Sequence, residues 1–225
     1  YKFMYDIEPI DYCPSSGNMS WATAITLVDI DAIFNSTGKT QPYTDYTTSD
    51  SIIVEIGSTH NLTVNVNTDG NYTVYARAWV NWNQDYDFSD AGEEYDLGSA
   101  VNTPDGPTDL SPLNITIPLT AALGKTTMRV SAKYNVASDT CETGFDGEVE
   151  DYAIIITKMQ LLDSATVTIC PDDSMYVGGQ WQTSAGIYYD TVFASAIADS
   201  IYITNLSIGA VTTGTDVQTS CGSYT

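Results

Sequence analysis

Alternation of apolar and polar residues, repeated in one segment after another, limits this chain more than any other feature. Within residues 61–67, Leu62, Val64 and Val66 fall on one side and Thr63 and Asn65 on the other. Within 73–82, Val74, Ala76, Ala78, Val80 and Trp82 alternate with Tyr75, Arg77, Trp79 and Asn81. Within 127–136, Met128, Val130, Ala132, Tyr134 and Val136 alternate with Arg129, Ser131, Lys133 and Asn135. A period of two puts successive side chains on opposite faces of a strand, so each segment predicts a strand with one buried and one wetted face. Residues 21–30, 113–118 and 149–157 are further strand candidates. Turn-forming clusters such as Thr68-Asp69-Gly70-Asn71 and Leu123-Gly124-Lys125 punctuate them. No stretch sustains a 3.6-residue apolar period. The expected fold is all-β: an antiparallel β-sandwich, jelly-roll or immunoglobulin-like, followed by a second, smaller β-domain. The expected division is an N-terminal arm at 1–11, the sandwich at 12–158, and the small β-domain with a C-terminal strand or tail at 159–225.

Charge narrows the function. Twenty-nine acidic residues face seven Lys and Arg, a formal net charge of −22. Such a field repels nucleic acid and anionic membranes, so neither is an expected partner. No apolar run nears the roughly 20 residues that span a bilayer, so membrane insertion is not expected either. The chain starts at Tyr1 without Met, like a mature or trimmed product. The four cysteines, Cys13, Cys141, Cys170 and Cys221, are widely spaced and fit two disulfides in an oxidising, extracellular setting. Spacing alone leaves three pairings open, and four free thiols remain the alternative.

The densest acidic segment runs Asn81-Trp82-Asn83-Gln84-Asp85-Tyr86-Asp87-Phe88-Ser89-Asp90-Ala91-Gly92-Glu93-Glu94. Oxygen donors at alternate positions let one loop wrap Ca2+, a hard cation that takes six to eight oxygens. Two registers compete. One sets Asn83, Asp85, Asp87 and Glu94 as ligands, with Phe88 where glycine is usual. The other sets Asn81, Asn83 and Asp85, completed by Asp87 and Glu93, with Tyr86 at the glycine position. A solvated acidic turn is the bland alternative. A second cluster, Asp146 to Asp151, reads as carboxylates reaching the metal loop or as charges guarding an exposed sheet edge. No G-x-S-x-G, H-E-x-x-H or phosphate-binding loop is present, His60 stands at a turn, and abundant carboxylates alone do not make a glycosidase. A sugar-stacking face built on Trp79 beside Tyr75 is a further reading.

Tyr12-Cys13, the run Ala78-Trp79-Val80-Asn81-Trp82-Asn83-Gln84-Asp85, Asp90-Ala91-Gly92-Glu93-Glu94, Thr127-Met128-Arg129-Val130 and Gly147-Glu148-Val149-Glu150-Asp151-Tyr152 together resemble the GEVED domain of large secreted and surface proteins of Bacteroidota. The resemblance covers about residues 12–157. The family typically has Asp where Asn81 stands and Gly where Tyr86 stands. The resemblance implies a Cys13–Cys141 pair. Residues 169–201 resemble short β-repeats of the same exported proteins, which usually carry Cys where Ala198 stands. That leaves Cys170 to pair with Cys221. The resemblance also implies type IX export and O-glycosylation at Asp-Ser/Thr-apolar positions, here Ser51, Ser164, Ser174, Thr191 and Ser200.

The expected protein is therefore a non-enzymatic extracellular module. It would be braced by calcium and disulfides, and act in a large adhesin or as a subunit of a cell-surface filament. It would associate with itself or with neighbouring modules. A carbohydrate-binding accessory module of a secreted enzyme, with glycans as partners, is the alternative. Residues 1–10, Tyr-Lys-Phe-Met-Tyr-Asp-Ile-Glu-Pro-Ile, alternate as well, and such an arm can add a strand to a neighbour's sheet edge.

Overall fold

In the computed structural model of the protein, residues 11–193 and 195–210 are described. The expected arm at 1–10 and Cys221 lie outside them. The described chain is all-β, and it divides after Thr157 into two units.

The first unit carries β1 (Ser16–Gly17), β2 (Ala24–Ile30), β3 (Ile33–Asn35), β4 (Tyr43–Asp45), β5 (Ser51–Glu55), β6 (Thr59–Asn67), β7 (Thr73–Val80), β8 (Glu94–Val101), β9 (Gly106–Pro107), β10 (Leu113–Thr116), β11 (Gly124–Tyr134), β12 (Thr143–Phe145) and β13 (Gly147–Thr157). One sheet has the order β10-β6-β2-β3, with β9 also on β6; the other has the order β4-β13-β11-β7-β8, with β5 also on β13. The apolar residues of the alternating segments form the core between them. Val28, Leu62, Val64 and Val66 come from one sheet, and Ala76, Val80, Met128, Val130, Tyr152 and Ile154 from the other. Removing these side chains from water contributes roughly 25 cal/mol per Å² of apolar surface, the main stabilisation of such a sandwich.

Three sequence expectations change here. One of the two sheets is mixed, because β13 pairs in parallel with β4 and β5, while the sheet built on β6 is antiparallel as expected. Segment 146–151 guards no edge, since β13 is paired on both sides. The polar face of β7 and β11 is also not wetted throughout. Trp79, Arg129 and Ser131 are buried, and Asn81, just past β7, is fully so. The reason is a second covering layer. The segment around Cys13, the loop before Cys141 and the acidic loop after β7 all fold back over that face. Ser138 donates its hydroxyl to Ser131 Oγ at 2.7 Å, and its carbonyl accepts from Arg77 at 3.4 Å. Period-two patterning reports polarity, and polar residues are buried without penalty when each finds a partner.

The second unit carries β14 (Met159–Ile169), β15 (Met175–Val177), β16 (Gln180–Gln182), β17 (Gly186–Phe193) and β18 (Ala198–Ile208). Strand β18 is central, parallel to β14 and antiparallel to β17, while β15 and β16 form a hairpin.

Candidate functional site

Two constellations stand out in the first unit, an acidic loop and a buried polar lock, and Phe88 joins them.

The loop leaves β7 at Asn81, where Thr126 Oγ1 donates to the Asn81 carbonyl. Alternate oxygens then cap successive backbone N–H groups. Asn83 Oδ1 accepts from Asp85 N (3.1 Å), Asp85 Oδ1 from Asp87 N (3.1 Å) and Asp87 Oδ1 from Ser89 N (2.8 Å). Such Asx turns are what short polar side chains at every second position favour. They bring oxygens of Asp85, Asp87 and Asp90 within 4.8 Å of one another. Asn83 Nδ2 donates to both Asp85 (2.9 Å) and Asp90 (2.6 Å). The Ser89 bonds hold the Asp87 carboxyl below its usual range.

Tyr86 adopts φ 73°, the left-handed conformation that glycine supplies most readily. The backbone thus follows the register in which position 86 is the turn. The six expected ligands are nevertheless split. Asp85 and Asp87 meet Asp90, which the spacing did not select. Asn81 is committed elsewhere: its Oδ1 caps Gln84 N and its Nδ2 donates to the Tyr12 hydroxyl at 3.0 Å. Glu94 accepts from Trp79 Nε1 and pairs with Arg77. Glu93 is buried. Its Oε1 accepts from Trp82 N at 2.7 Å, while its Oε2 has no partner. Burial first, and the nearby charges of Asp90 and Asp85 after it, raise the Glu93 carboxyl pKa. A recess of about 220 Å³ lies beside it, lined by Asp90, Glu93, Trp82 and Pro118.

The lock centres on Arg129. Its Nε and Nη2 donate to the two carboxylate oxygens of Asp151, each at 2.8 Å, across the directly opposed pair of β11 and β13. Its Nη1 donates to the carbonyls of Cys13 (2.9 Å) and Thr140 (3.0 Å). Those carbonyls flank the Cys13–Cys141 disulfide, the pairing that the family resemblance implies. Tyr43 donates its hydroxyl to Asp151, and burial raises the Tyr43 pKa. Phe88 from the acidic loop sits 5.2 Å beneath the Arg129 guanidinium and stacks on Tyr12 at 4.8 Å. The loop, the disulfide and β13 therefore share one polar centre. A groove of about 620 Å³ opens beside it, lined by Tyr12, Ser15, Tyr43, Asp45 and Thr127 as well as the Arg129–Asp151 pair.

Strand β13 explains its own sequence. A Cβ on Gly147 would lie 2.0 Å from the Ala132 carbonyl oxygen, so no side chain fits there. Glu148 and Glu150 alternate inward and clasp the facing sheet. Glu148 Oε2 accepts from Ile25 N (3.0 Å), beside a bulge in β2. Glu150 accepts from Thr37 Oγ1 (3.0 Å) and from the Tyr152 hydroxyl (2.7 Å), which accepts from Asn35 Nδ2. Burial, with the Glu150 charge beside it, pushes the Glu148 carboxyl up to about 8; burial pushes Glu150 up to about 7. Val149 and Asp151 face the other way, Asp151 into the lock. Glycine, two inward acids and one outward acid are thus required by packing within five residues. Residues 75–155 match the family model of the GEVED domain. The match holds the acidic loop, Arg129 and the Gly147–Asp151 run; the disulfide partner Cys13 lies upstream of it. No curated protein matches the chain.

Sequence reasoning missed Asp90, Arg129 and Tyr12 as members of these sites. Arg129 had a signal: a cation opposite Asp151 in two alternating strands. One more side-chain cluster lies apart from the GEVED match. His60 Nδ1 meets Asp31, and its Nε2 lies 2.6 Å from Ser58 Oγ. The Ser58 hydroxyl also donates to the Glu55 carbonyl at 2.6 Å, so its proton is engaged by the backbone. The three side chains tie the β2–β3 turn to the start of β6.

Proposed function

We propose that this chain is an exported, non-enzymatic structural module, working in a large adhesin or as a filament subunit, in which calcium braces the acidic loop. One observation carries the reading: the unpartnered buried Oε2 of Glu93, whose carboxyl feels the charges of Asp90 and Asp85, two members of the cluster that Asp87 completes. A lone buried carboxylate oxygen next to like charges is costly, and a divalent cation removes that cost. The donor set is all oxygen, which suits calcium. Asp85, Asp87 and Asp90 would hold it, with Glu93 behind them. The ion's role would be mechanical, because the same loop presents Phe88 to Tyr12 and Arg129. Thermal unfolding with excess calcium and then with EDTA tests this. A calcium-dependent rise in Tm that disappears in the Asp85→Asn/Asp90→Asn variant supports it, and identical curves refute it.

A carbohydrate-binding module is the second reading, and its aromatic residues differ from those first expected. Trp79 is buried, so no sugar stacks on it. Tyr176 and Trp181, directly opposed on β15 and β16, are 60% and 68% exposed with ring centroids 5.5 Å apart. Binding to neutral polysaccharides that Trp181→Ala abolishes would favour this reading. O-glycosylation remains a proposal for Ser51, Ser164, Ser174 and Thr191, all exposed, and for half-buried Ser200. Hexose increments in the intact mass of native material would support it.

A further inference from the structure

We propose that the first unit carries a calcium-dependent sugar site: the ion held by the acidic loop keeps coordination positions open toward the recess beside Glu93, and these take two neighbouring hydroxyls of a neutral pyranose. This rests on the calcium reading and names the ligand of that same site.

The recess and the acidic cluster share Asp90. It is one of the carboxylates that meet with Asp85 and Asp87, and it also lines the recess, together with Glu93, Asn83, Trp82, Pro118 and Thr120. Glu93 is 2% exposed, and among the described residues its Oε2 has no hydrogen-bond partner. The Asn83 amide donates to Asp85 and Asp90 and leaves that oxygen unanswered. A buried acceptor on the wall of a recess calls for a cation or a donor from outside the chain.

An ion at this place would not be enclosed. Asp85, Asp87 and Asp90 are all exposed. Calcium takes six to eight oxygens, so one oxygen from each of these and one from Glu93 leaves about two to four positions for solvent. Two hydroxyls on adjacent carbons of a sugar ring can fill two of them together. Both come on one rigid ring, so the ordering cost falls once rather than twice.

The walls suit a sugar as well. Trp82, Ala91 and Pro118 supply apolar surface for the C–H groups of the ring, while Asn83 and Thr120 supply polar groups for further hydroxyls. At about 220 Å³ the recess is smaller than the roughly 300 Å³ at which pockets for drug-sized ligands begin, so it takes one terminal ring rather than a stretch of polysaccharide. The net charge of −22 disfavours acidic sugars. None of these residues belongs to the Tyr176 and Trp181 pair, so mutation separates the two sugar readings.

The test titrates the full chain with the methyl glycosides of mannose, galactose and glucose by calorimetry, in calcium and then in EDTA. Saturable binding of at least one of them in calcium, lost in EDTA, is expected. Thr120→Phe fills the recess from a separate loop without touching a carboxylate, and Ala91→Phe fills it from the end of the acidic loop; both positions are exposed, so the fold should survive. Each should weaken sugar binding at least about tenfold and keep the calcium-dependent rise in Tm. Asp85→Asn/Asp90→Asn should lose both responses, and Trp181→Ala should lose neither. Absence of binding by all of these sugars with calcium bound, binding that persists in EDTA, or full affinity in both recess-filling variants would each overturn the proposal. A Tm that rises with calcium while no sugar binds defeats this proposal and leaves the bracing reading standing, whereas a Tm that does not move defeats the bracing reading itself.

Discussion

Removing the Arg129 guanidinium should unfold the first unit more readily than any surface change. The side chains of Arg129 and Asp151 are 3% and 4% exposed, and two bonds of 2.8 Å join them. Arg129→Met leaves Asp151 buried with only the Tyr43 hydroxyl as partner. Breaking a buried pair by deleting one member costs about 3–5 kcal/mol, because the survivor is an uncompensated charge. Asp151→Leu should cost a similar amount for the mirror reason. The double variant, Arg129→Met/Asp151→Leu, leaves no unpaired charge. It loses the bonds to the Cys13 and Thr140 carbonyls, each worth about 1 kcal/mol, and strands the Tyr43 hydroxyl. Its expected loss is about 2–3 kcal/mol, well below the sum of the singles. Urea denaturation monitored by tryptophan fluorescence measures all four corners of the cycle. If the single losses simply add, the charges are not coupled as described. A loss under about 1 kcal/mol for either single variant would be equally damaging.

The pH dependence follows from β13. The Glu148 and Glu150 carboxyls are raised in the fold to about 8 and about 7, against about 4.5 for the unfolded chain. Their contribution is therefore complete below pH about 4.5 and is lost as pH rises through 7 to 8. Glu148→Gln, which keeps an acceptor for Ile25 N, should flatten that loss in urea midpoints taken from pH 5 to 9. Gly147→Ala should cost about 3 kcal/mol through the clash with the Ala132 carbonyl, seen as a lower midpoint at unchanged slope. Removing the Cys13–Cys141 bond, which spans a sequence separation of 128, should cost up to about 5 kcal/mol by loop entropy, readable as a lower Tm of the Cys13→Ser/Cys141→Ser variant.

Alternation in the sequence determined the strands and most of the core. Leu62, Val64 and Val66, and likewise Met128, Val130 and Ala132, turn inward as their period demands. Local chemistry also determined the acidic loop, since Asn83, Asp85 and Asp87 each cap the residue two ahead. These are short-range effects, set by neighbours a few bonds away.

Only the tertiary structure decided which polar residues are buried and what each one meets. Trp79, Arg129 and Asn81 look like wetted positions, yet other segments of chain cover them; the Cys13 carbonyl reaches Arg129 from 116 residues away and the Thr140 carbonyl from the loop 11 residues on. The same holds for Glu148 and Glu150, whose partners Ile25 and Thr37 lie more than 110 residues upstream. Periodicity encodes which side of a strand is polar, but it carries no record of the second layer that closes over that side. The physical reason is that a polar side chain is stable either in water or against a matching partner, and the partner's position is fixed only when the whole chain has folded.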